Sequence, residues 1–280
     1  MFPCNSPMHL KMQNPFIEIS DNINNEVCKL VQHRQRYTPA HRQILRDLRG
    51  VPDQYSMDSM CIAKIAKIIP YMPSMESKGE LLDILSQATW GAQDAISLSS
   101  LMLQLKLLSA KDEAHSIHVE VALDNILLKL LETIPKITRF DGQAIGNAFY
   151  GLQNLEHSPV VEDILSALAK KIPTVHYLKG QAIGNALYGL KNLQDSPAVR
   201  EVLNALAEKI PAILHFSGQN IGNALYGLQN LKNSLAVENI LNALAKKIPT
   251  VPSFKAQEIS MALYGLQNLQ NSPAVEKVLH

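Results

Sequence analysis

This 280-residue chain is poor in cysteine and in aromatic residues. The three cysteines, Cys4, Cys28 and Cys61, form no CxxC motif and do not suggest a disulfide framework, which is typical of a protein from a reducing compartment. Aromatic residues make up 5% of the sequence, whereas hydrophobic residues make up 46%, and glycine and proline are ordinary in number. This composition indicates a folded and mainly helical protein.

The sequence also lacks the patterns that mark membrane proteins, strongly basic nucleic-acid-binding proteins and common enzymes. No apolar run is long enough to span a membrane, and the N-terminal segment has no secretory-signal pattern. The formal net charge is only +1, and no Walker loop, GxSxG, HExxH or metal-spaced Cys/His set occurs. We therefore expect no enzyme, no metal or other cofactor, no membrane partner and no small-molecule substrate.

A unit of 38 residues recurs without insertion or deletion, starting at Gln143, Gln181, Gln219 and Gln257. A fixed period of this length indicates a stacked repeat array rather than a domain built around a pocket. The first half of each unit has apolar residues at helical spacing; the second half opens with a serine, usually followed by proline, and in the first three units closes with Ile-Pro. The predicted fold is all-α, an α-solenoid of stacked antiparallel helix pairs.

Composition divides the chain into three parts. Residues 1–40 are rich in Asn, Gln and Ser without clear periodicity, and we expect a flexible or loosely docked N-terminal segment. Residues 41–142 have an irregular helical pattern and are predicted to be diverged repeats or an N-terminal cap. Residues 143–280 contain four repeats, and the last is expected to be truncated because its second helix lacks the Lys-Ile-Pro end.

Fragments of the repeat are visible in the irregular part. Residues 59–70 match the second helix of the unit, and residues 84–95 match the first helix, with Trp90 at the tyrosine position. These matches predict that the array begins near residue 41.

One stripe of residues on the first helix of each repeat has no obvious structural role. Positions 1, 5, 8 and 12 of that helix lie on one face, opposite the apolar residues, because successive residues turn by about 100°. Gly184 and Gly189 flank the stripe and predict that neighbouring first helices pack closely. In the fourth repeat, Met261 replaces the inner asparagine. The stripe, which we call the amide–tyrosine row, consists of Gln143, Asn147, Tyr150, Asn154, Gln181, Asn185, Tyr188, Asn192, Gln219, Asn223, Tyr226, Asn230, Gln257, Tyr264 and Asn268.

The amide–tyrosine row permits two interpretations. As a ligand-binding track it suits single-stranded RNA, since a ring can stack on a base and an amide can pair with base edges or sugar hydroxyls. The same amides can instead hold the extended backbone of a protein or peptide partner. In the structural interpretation, the asparagines bond one another and loop carbonyls between repeats, and the tyrosines fill a groove.

Two further groups of residues are candidate contacts. Variable positions beside the row are candidates for specificity, or for ordinary drift at exposed sites: Gln153, Lys191, Gln229, Gln267, His157, Asp195, Asn233 and Asn271. A basic segment near residue 40 is a candidate phosphate or acidic-partner contact, or a solvated helix face, and contains Arg34, Arg36, Arg42, Arg46 and Arg49. The repeats themselves are nearly neutral, with 11 Lys and Arg against 9 Asp and Glu over residues 143–280.

The unit resembles the octotricopeptide repeat. The resemblance rests on the 38-residue period, on the first-helix pattern Gln-x-Ile-x-Asn-x-Leu-Tyr-x-Leu-x-x-Leu and on the Ser-Pro opening of the second helix. It implies an α-solenoid that binds RNA. Similar arrays occur in uncharacterised proteins of intracellular bacteria, some regarded as effectors, which implies the alternative role of a protein-interaction scaffold. The expected location is the cytoplasm, or the host cytosol for a secreted effector. The chain lacks the family's Pro-Pro-Pro-Glu-Trp signature and an appended nuclease-like domain.

Overall fold

The structure is a computed structural model that describes residues 14–33, 41–52, 54–106 and 117–280. Over these residues the only β-structure is an isolated bridge between Met57 and Trp90. The helices are α1 (Pro15–His33), α2 (His41–Arg49), α3 (Ser59–Ala66), α4 (Met75–Gln87), α5 (Ala95–Leu105), α6 (Ile117–Thr133), α7 (Gly142–Gly151), α8 (Pro159–Ala169), α9 (Gly180–Gly189), α10 (Pro197–Lys209), α11 (Gly218–Tyr226), α12 (Leu235–Ala245), α13 (Ala256–Leu266) and α14 (Pro273–Leu279).

The helices form two layers. Odd-numbered helices pack in chain order from α1 to α13, and even-numbered helices pack in chain order from α2 to α14. Successive helices therefore pair, and the pairs stack as an α-solenoid, which confirms the predicted fold class. One continuous hydrophobic core lies along the array, from Phe16 of the first pair to Val275 of the last.

The second helix of each regular repeat begins and ends as its sequence predicts. The hydroxyl of Ser196 accepts a hydrogen bond from the amide of Val199, and Pro197 occupies the first helical position. Ser158, Ser234 and Ser272 cap their helices in the same way. In the first three regular repeats the helix then tightens into a 3-10 turn at an Ile-Pro pair, as in Ile172–Thr174.

Lysines tie each of these 3-10 turns to the preceding one. Lys209 Nζ donates to the backbone oxygens of Pro173 at 2.8 Å and Val175 at 2.9 Å. Lys171 and Lys247 make the corresponding pairs of bonds one repeat earlier and one repeat later. The Lys-Ile-Pro pattern therefore links repeats to one another as well as ending a helix.

Glycines allow the close packing of the first layer, as the sequence predicted. A Cβ on Gly189 would collide with the carbonyl oxygen of Phe149 in the preceding first helix. On the other side of the same helix, a Cβ on Gly184 would lie 2.8 Å from the carbonyl oxygen of Asn220 in the following one. The backbones of successive first helices thus meet directly on both sides.

The N-terminal segment differs from its prediction where it is described. Residues 15–33 form α1, and Phe16 (5% exposed) and Ile23 (0% exposed) are buried in the core. Ser20, one turn after Phe16, is also buried and donates to the sulfur of Cys61 on α3. Among the described residues, α1 therefore packs on α3 in the first layer, ahead of residue 41, and its residues 16, 20 and 23 lie on one helical face.

The predicted register of the irregular part is also wrong. Residues 59–70, matched to a second helix, contain α3, which lies in the first layer between α1 and α5. Residues 84–95, matched to a first helix, cross from the end of α4 to the start of α5. Trp90 consequently lies in a loop, where its indole Nε1 donates to the oxygen of Leu85 at 2.8 Å.

Candidate functional site

The four tyrosines of the amide–tyrosine row stack on one another. Tyr150, Tyr188, Tyr226 and Tyr264 form a continuous column in which neighbouring ring centroids are 5.5 Å apart and ring planes differ by 20° to 25°. Such offset stacking is a preferred aromatic arrangement. Burial raises the pKa of Tyr226, and the adjacent Tyr188 and Tyr264 add to the effect.

Both faces of the inner rings are occupied. Tyr188 and Tyr226 each have a ring neighbour on either side. Lys106 Nζ lies 4.8 Å from the ring centroid of Tyr150, where its charge is attracted to the ring. Tyr264, at the other end of the column, is 50% exposed. A base could therefore enter the column only by separating rings that the helices hold together.

The outer asparagines form an inter-repeat ladder. Asn192 Nδ2 donates to the backbone oxygen of Gln153 at 2.7 Å, at the end of the preceding first helix. Asn154, Asn230 and Asn268 make equivalent bonds of 2.6 to 2.8 Å to Lys106, Lys191 and Gln229. The structural interpretation applies to these four residues, because each amide satisfies a terminal carbonyl that the preceding helix leaves unpaired.

The inner asparagines have no such role. Asn147, Asn185 and Asn223 are half-buried, and within the described part of the chain their side-chain amides make no hydrogen bond. The glutamines that begin the row are exposed, and their amides likewise have no partner among the described residues: Gln143, Gln181, Gln219 and Gln257. One or two amides per repeat, each with donors and an acceptor, therefore face the solvent along the first layer.

Two cavities lie along these unpaired amides. The larger, of about 510 Å³, is lined by Asn147, Asn185, Arg139, Asp141 and Lys179, among others. The second, of about 350 Å³, draws its wall from all four regular repeats, including Tyr150 from the first and Met261 from the fourth. Because residues three repeats apart line one cavity, this face of the array is concave.

The cavities also contain cationic residues that belong to no recognisable sequence motif. Lys179 and Lys255 occupy N-cap positions. An ammonium group cannot accept a hydrogen bond from the helix amides, and its positive charge is repelled by the positive end of the helix dipole. In the repeats where a capping residue is present, Asp141 and Ser217 accept amide hydrogens at the same position. Residues that depart from the preferred cap chemistry and line a groove are candidate functional residues.

The first column of specificity candidates is less accessible than its sequence indicates. Gln153 (5% exposed) and Gln229 (8% exposed) are buried, whereas Lys191 is half-buried and Gln267 exposed. Lys191 Nζ lies 3.2 Å from Gln153 Oε1 and 4.5 Å from the ring centroid of Tyr188. Gln229 Nε2 donates to the oxygen of Lys191 at 3.0 Å. These residues brace the tyrosine column, because their polar groups bond across the repeat boundary.

The second column makes contacts near the start of the second helices, either within its own repeat or with the next one. Asp195 forms a bidentate pair with Arg200, and His157 Nδ1 lies 3.5 Å from Glu162. Asn233 exchanges two hydrogen bonds with the backbone of Gln270 in the next repeat. Asn271 Nδ2 donates to Glu276 at 3.4 Å.

The basic segment is only partly described. Arg34 and Arg36 lie outside the described residues. Arg42, Arg46 and Arg49 are exposed on α2. Arg46 donates to Gln43 on the same helix, and Arg49 approaches Glu80 at 3.9 Å. Phosphate contact by these arginines stays a prediction.

A third cavity, of about 470 Å³, surrounds Trp90 in the irregular part. Lys129 Nζ lies 5.6 Å from the Trp90 ring and donates to the backbone oxygens of Ser86 and Ala88. Burial lowers the pKa of Lys129. The Nε2 atom of Gln93 donates to Met57 and Gly91, while its Oε1 atom is buried without a partner.

No protein-family model matches this chain, and no curated protein is similar to it in sequence. The resemblance to the octotricopeptide repeat therefore stays a prediction. Among the described helices, none combines the length and apolar character needed to cross a membrane. The described residues also bring together no cluster of three His, Cys, Asp or Glu side chains that could hold a metal ion.

Proposed function

We propose that this array is a non-catalytic binding protein that holds an extended polypeptide segment along the concave face of its first layer. One observation carries the proposal. The inner amides of Asn147, Asn185 and Asn223 are half-buried in the groove without partners, although the outer asparagines and the tyrosines of the same row are engaged. An extended backbone presents N–H and C=O groups that such amides pair with.

The spacing along the row supports an extended chain. Successive tyrosine rings advance by 5.5 Å per repeat. An extended polypeptide advances by about 6.4–6.8 Å for every two residues, and every second residue faces the same side. At two residues per repeat, a fully extended strand would run ahead of the row by about 1 Å at each step and by about 3 Å over the three steps, so a bound strand stays in register only where twist shortens it.

The state of the tyrosines favours a polypeptide over RNA. Sequence-tolerant RNA binding depends on ring faces that are open to bases. The faces of Tyr188 and Tyr226 are instead covered by their neighbours in the column. RNA binding, the first hypothesis from the sequence, depends on bases that stack on these rings, and the faces of the two inner rings are not open to a base.

Charge in the groove points the same way. The two cavities along the row contain Arg139, Lys179 and Lys255 against Asp141 and Glu258. RNA presents a phosphate at every nucleotide, and most of its affinity comes from neutralising these groups. So small an excess of positive charge suits a polypeptide with one or two acidic side chains better.

The proposal is tested by offering both ligands to the full chain. The immobilised protein is exposed to a phage-displayed library of random peptides of about 12 residues, longer than the eight or so that four rungs would span. In parallel it is exposed to a random pool of single-stranded RNA. We expect enrichment of peptides and not of RNA. Enrichment of RNA alone would overturn the proposal and support the role implied by the resemblance.

A matched pair of variants then locates the binding surface. In N147A/N185A/N223A, affinity for a selected peptide, measured by fluorescence anisotropy, should fall about a hundredfold, because three amide pairings of about 1 kcal/mol each are lost. The control N125A/N204A/N239A removes three exposed asparagines from second-layer helices and should bind normally. Both variants should keep the wild-type circular dichroism spectrum. Unchanged affinity in the first variant would remove the row from the mechanism.

A further inference from the structure

The larger of the two cavities along the amide–tyrosine row lies between α7 and α9. Its wall includes Arg139, which precedes α7, and Lys179, which precedes α9. The unpaired amides of Asn147 and Asn185 line the same cavity. With a volume of about 510 Å³, the cavity lies within the range of ligand pockets. Two cations from successive repeats therefore share one cavity with unpaired amides.

The cations of this cavity have no partner within the described part of the chain. Arg139 and Lys179 are exposed, and neither side chain donates a hydrogen bond to a described residue or forms an ion pair with one. The carboxylate in the wall, Asp141, caps α7 by accepting the backbone amide of Ala144 at 2.7 Å. At pH 7, with histidine neutral, the wall therefore carries an excess of one positive charge.

The second cavity differs from the first in charge. Its wall contains Lys255 against Glu258, which accepts the backbone amide of Lys255 at 2.8 Å. One cation and one carboxylate leave no excess charge there. Unpaired amides occur in both cavities, as Asn185 in the first and Asn223 in the second. Amides pair with any polypeptide backbone, so they select no particular side chain, whereas the charge of the first cavity does.

A single carboxylate matches the charge of the first cavity. Its two oxygens offer about four acceptor sites, and a guanidinium and an ammonium group supply donors in excess of that number. Hydrogen bonds between ionised groups are about twice as strong as those between neutral groups. A phosphorylated side chain carries a charge of about −1.5 to −2, which is more than the wall balances. The carboxylate of an unmodified acidic residue is therefore the better match.

We propose that the cavity between α7 and α9 receives the carboxylate of an aspartate or glutamate side chain of the bound polypeptide. The inference rests on the proposed function, and it adds the kind of segment that is bound. The acidic residue is held where the segment passes Asn147 and Asn185, at one end of the row. The protein thus recognises an extended segment with an acidic residue at one fixed position, rather than any unstructured chain.

The test compares the full wild-type chain with two variants that each lose two positive charges. R139Q/K179Q removes the cations of the cavity. The control K232Q/K246Q removes two exposed lysines that line neither cavity. All three proteins are offered a library of random peptides, displayed so that no peptide has a free C-terminus. Peptides from the wild type and the control should share an acidic residue at one fixed position, and peptides from R139Q/K179Q should lose that preference. The three proteins should give the same circular dichroism spectrum.

Affinities give the decisive measurement. Replacing the shared acidic residue of a selected peptide by the corresponding amide should weaken binding to the wild type and to the control about tenfold, as expected for losing a charge-assisted hydrogen bond. The same replacement should weaken binding to R139Q/K179Q less than about threefold. The tenfold loss should shrink when the ionic strength rises from about 0.05 M to about 0.5 M, because salt screens exposed charges.

Three outcomes would contradict the acidic anchor. Equal losses on the wild type and on R139Q/K179Q would refute it while leaving the proposed function intact. Each peptide is also synthesised with a free and with an amidated C-terminus. Binding that depends on the free C-terminus and not on the acidic side chain would assign the cavity to a terminal carboxylate instead. If no peptide is enriched on the wild type, the proposed function fails and the acidic anchor with it.

Discussion

Neighbouring helix pairs are joined by recurring side-chain contacts between α7 and α14, but by contacts that differ from one step to the next between α1 and α6. In the regular part, one asparagine and one tyrosine recur at every boundary, and one lysine recurs at the first two, as Asn192, Tyr188 and Lys209 do. In the irregular part, α1 meets α3 through the Lys64–Asp21 ion pair and a Ser20–Cys61 contact.

The comparison separates what the architecture needs from what the repeat provides. Both parts bury a continuous apolar core between two helix layers, so core packing alone is enough to stack the pairs. The recurring polar contacts in the regular part fix one geometry at every boundary. The proposed row of evenly spaced binding groups requires such a constant geometry. The irregular part lacks the row and does not have this geometry.

The largest difference between the two parts is expected at glycines. Gly189→Ala places a Cβ against the carbonyl of Phe149 in the neighbouring first helix, so the two helices must separate. We expect the free energy of unfolding to fall by about 3 kcal/mol, the upper end of the cost of overpacking. In Gly50→Ala, the nearest atom to the new Cβ is the oxygen of Arg46 at an ordinary 3.4 Å, and stability should change by less than about 0.5 kcal/mol.

Urea denaturation followed by circular dichroism measures both variants. If Gly189→Ala and Gly50→Ala unfold at the same urea concentration, close backbone packing contributes no more to the stability of the regular part than to that of the irregular part.

A smaller difference is expected at the lysines. Lys209→Met removes a cation that donates to two backbone oxygens of the preceding repeat, and we expect a loss of about 1.5 kcal/mol, as for charge-assisted hydrogen bonds. Lys64→Met removes a cation paired with the exposed carboxylate of Asp21, and such surface pairs contribute about 0–1 kcal/mol. The same denaturation experiment compares them. A larger loss for Lys64→Met would mean that the recurring lysine contact has no special weight.

The helices could be predicted from the sequence at positions where the same residue type has the same surroundings in every repeat. The apolar stripe, the Ser-Pro start and the Ile-Pro end each follow from local chemistry, so the helices and their stacking were predictable. The segment 15–33 was missed because the buried residues of its first turns, Phe16, Ser20 and Ile23, follow helical spacing but place a serine in the apolar stripe. That spacing was the available signal.

The division of the amide–tyrosine row could not be predicted. Position 12 and position 5 both carry asparagine, yet Asn192 reaches a carbonyl of the preceding repeat and Asn185 does not. The difference depends on how far each helix is displaced along its neighbour. The sequence of a single repeat does not determine this displacement. The stacking of the tyrosines depends on the same displacement.

The docking of α1 on α3 can be measured through the buried thiol of Cys61. Cys61 of α3 is 2% exposed and lies under Ser20 of α1, and burial raises the pKa of its thiol to about 11. A raised pKa means that folding favours the protonated thiol, so its stabilisation is complete at neutral pH and is lost as the pH rises from about 9 to 11. At pH 8 the thiolate fraction is about 0.001, against about 0.2 for a free cysteine. In a C4S/C28S variant, alkylation of Cys61 by iodoacetamide should therefore be more than a hundredfold slower than in the unfolded chain.

Phe16→Ala provides the control for this measurement, because Phe16 is buried in the core on the same helix as Ser20. In C4S/C28S/F16A, α1 should open more often and alkylation should speed up, while the protein remains folded by circular dichroism. Rapid alkylation of Cys61 without the Phe16 substitution would show that α1 leaves α3 readily. The first helix pair would then be only loosely held, and the contrast would lie between a firmly stacked regular part and a detachable N-terminal pair.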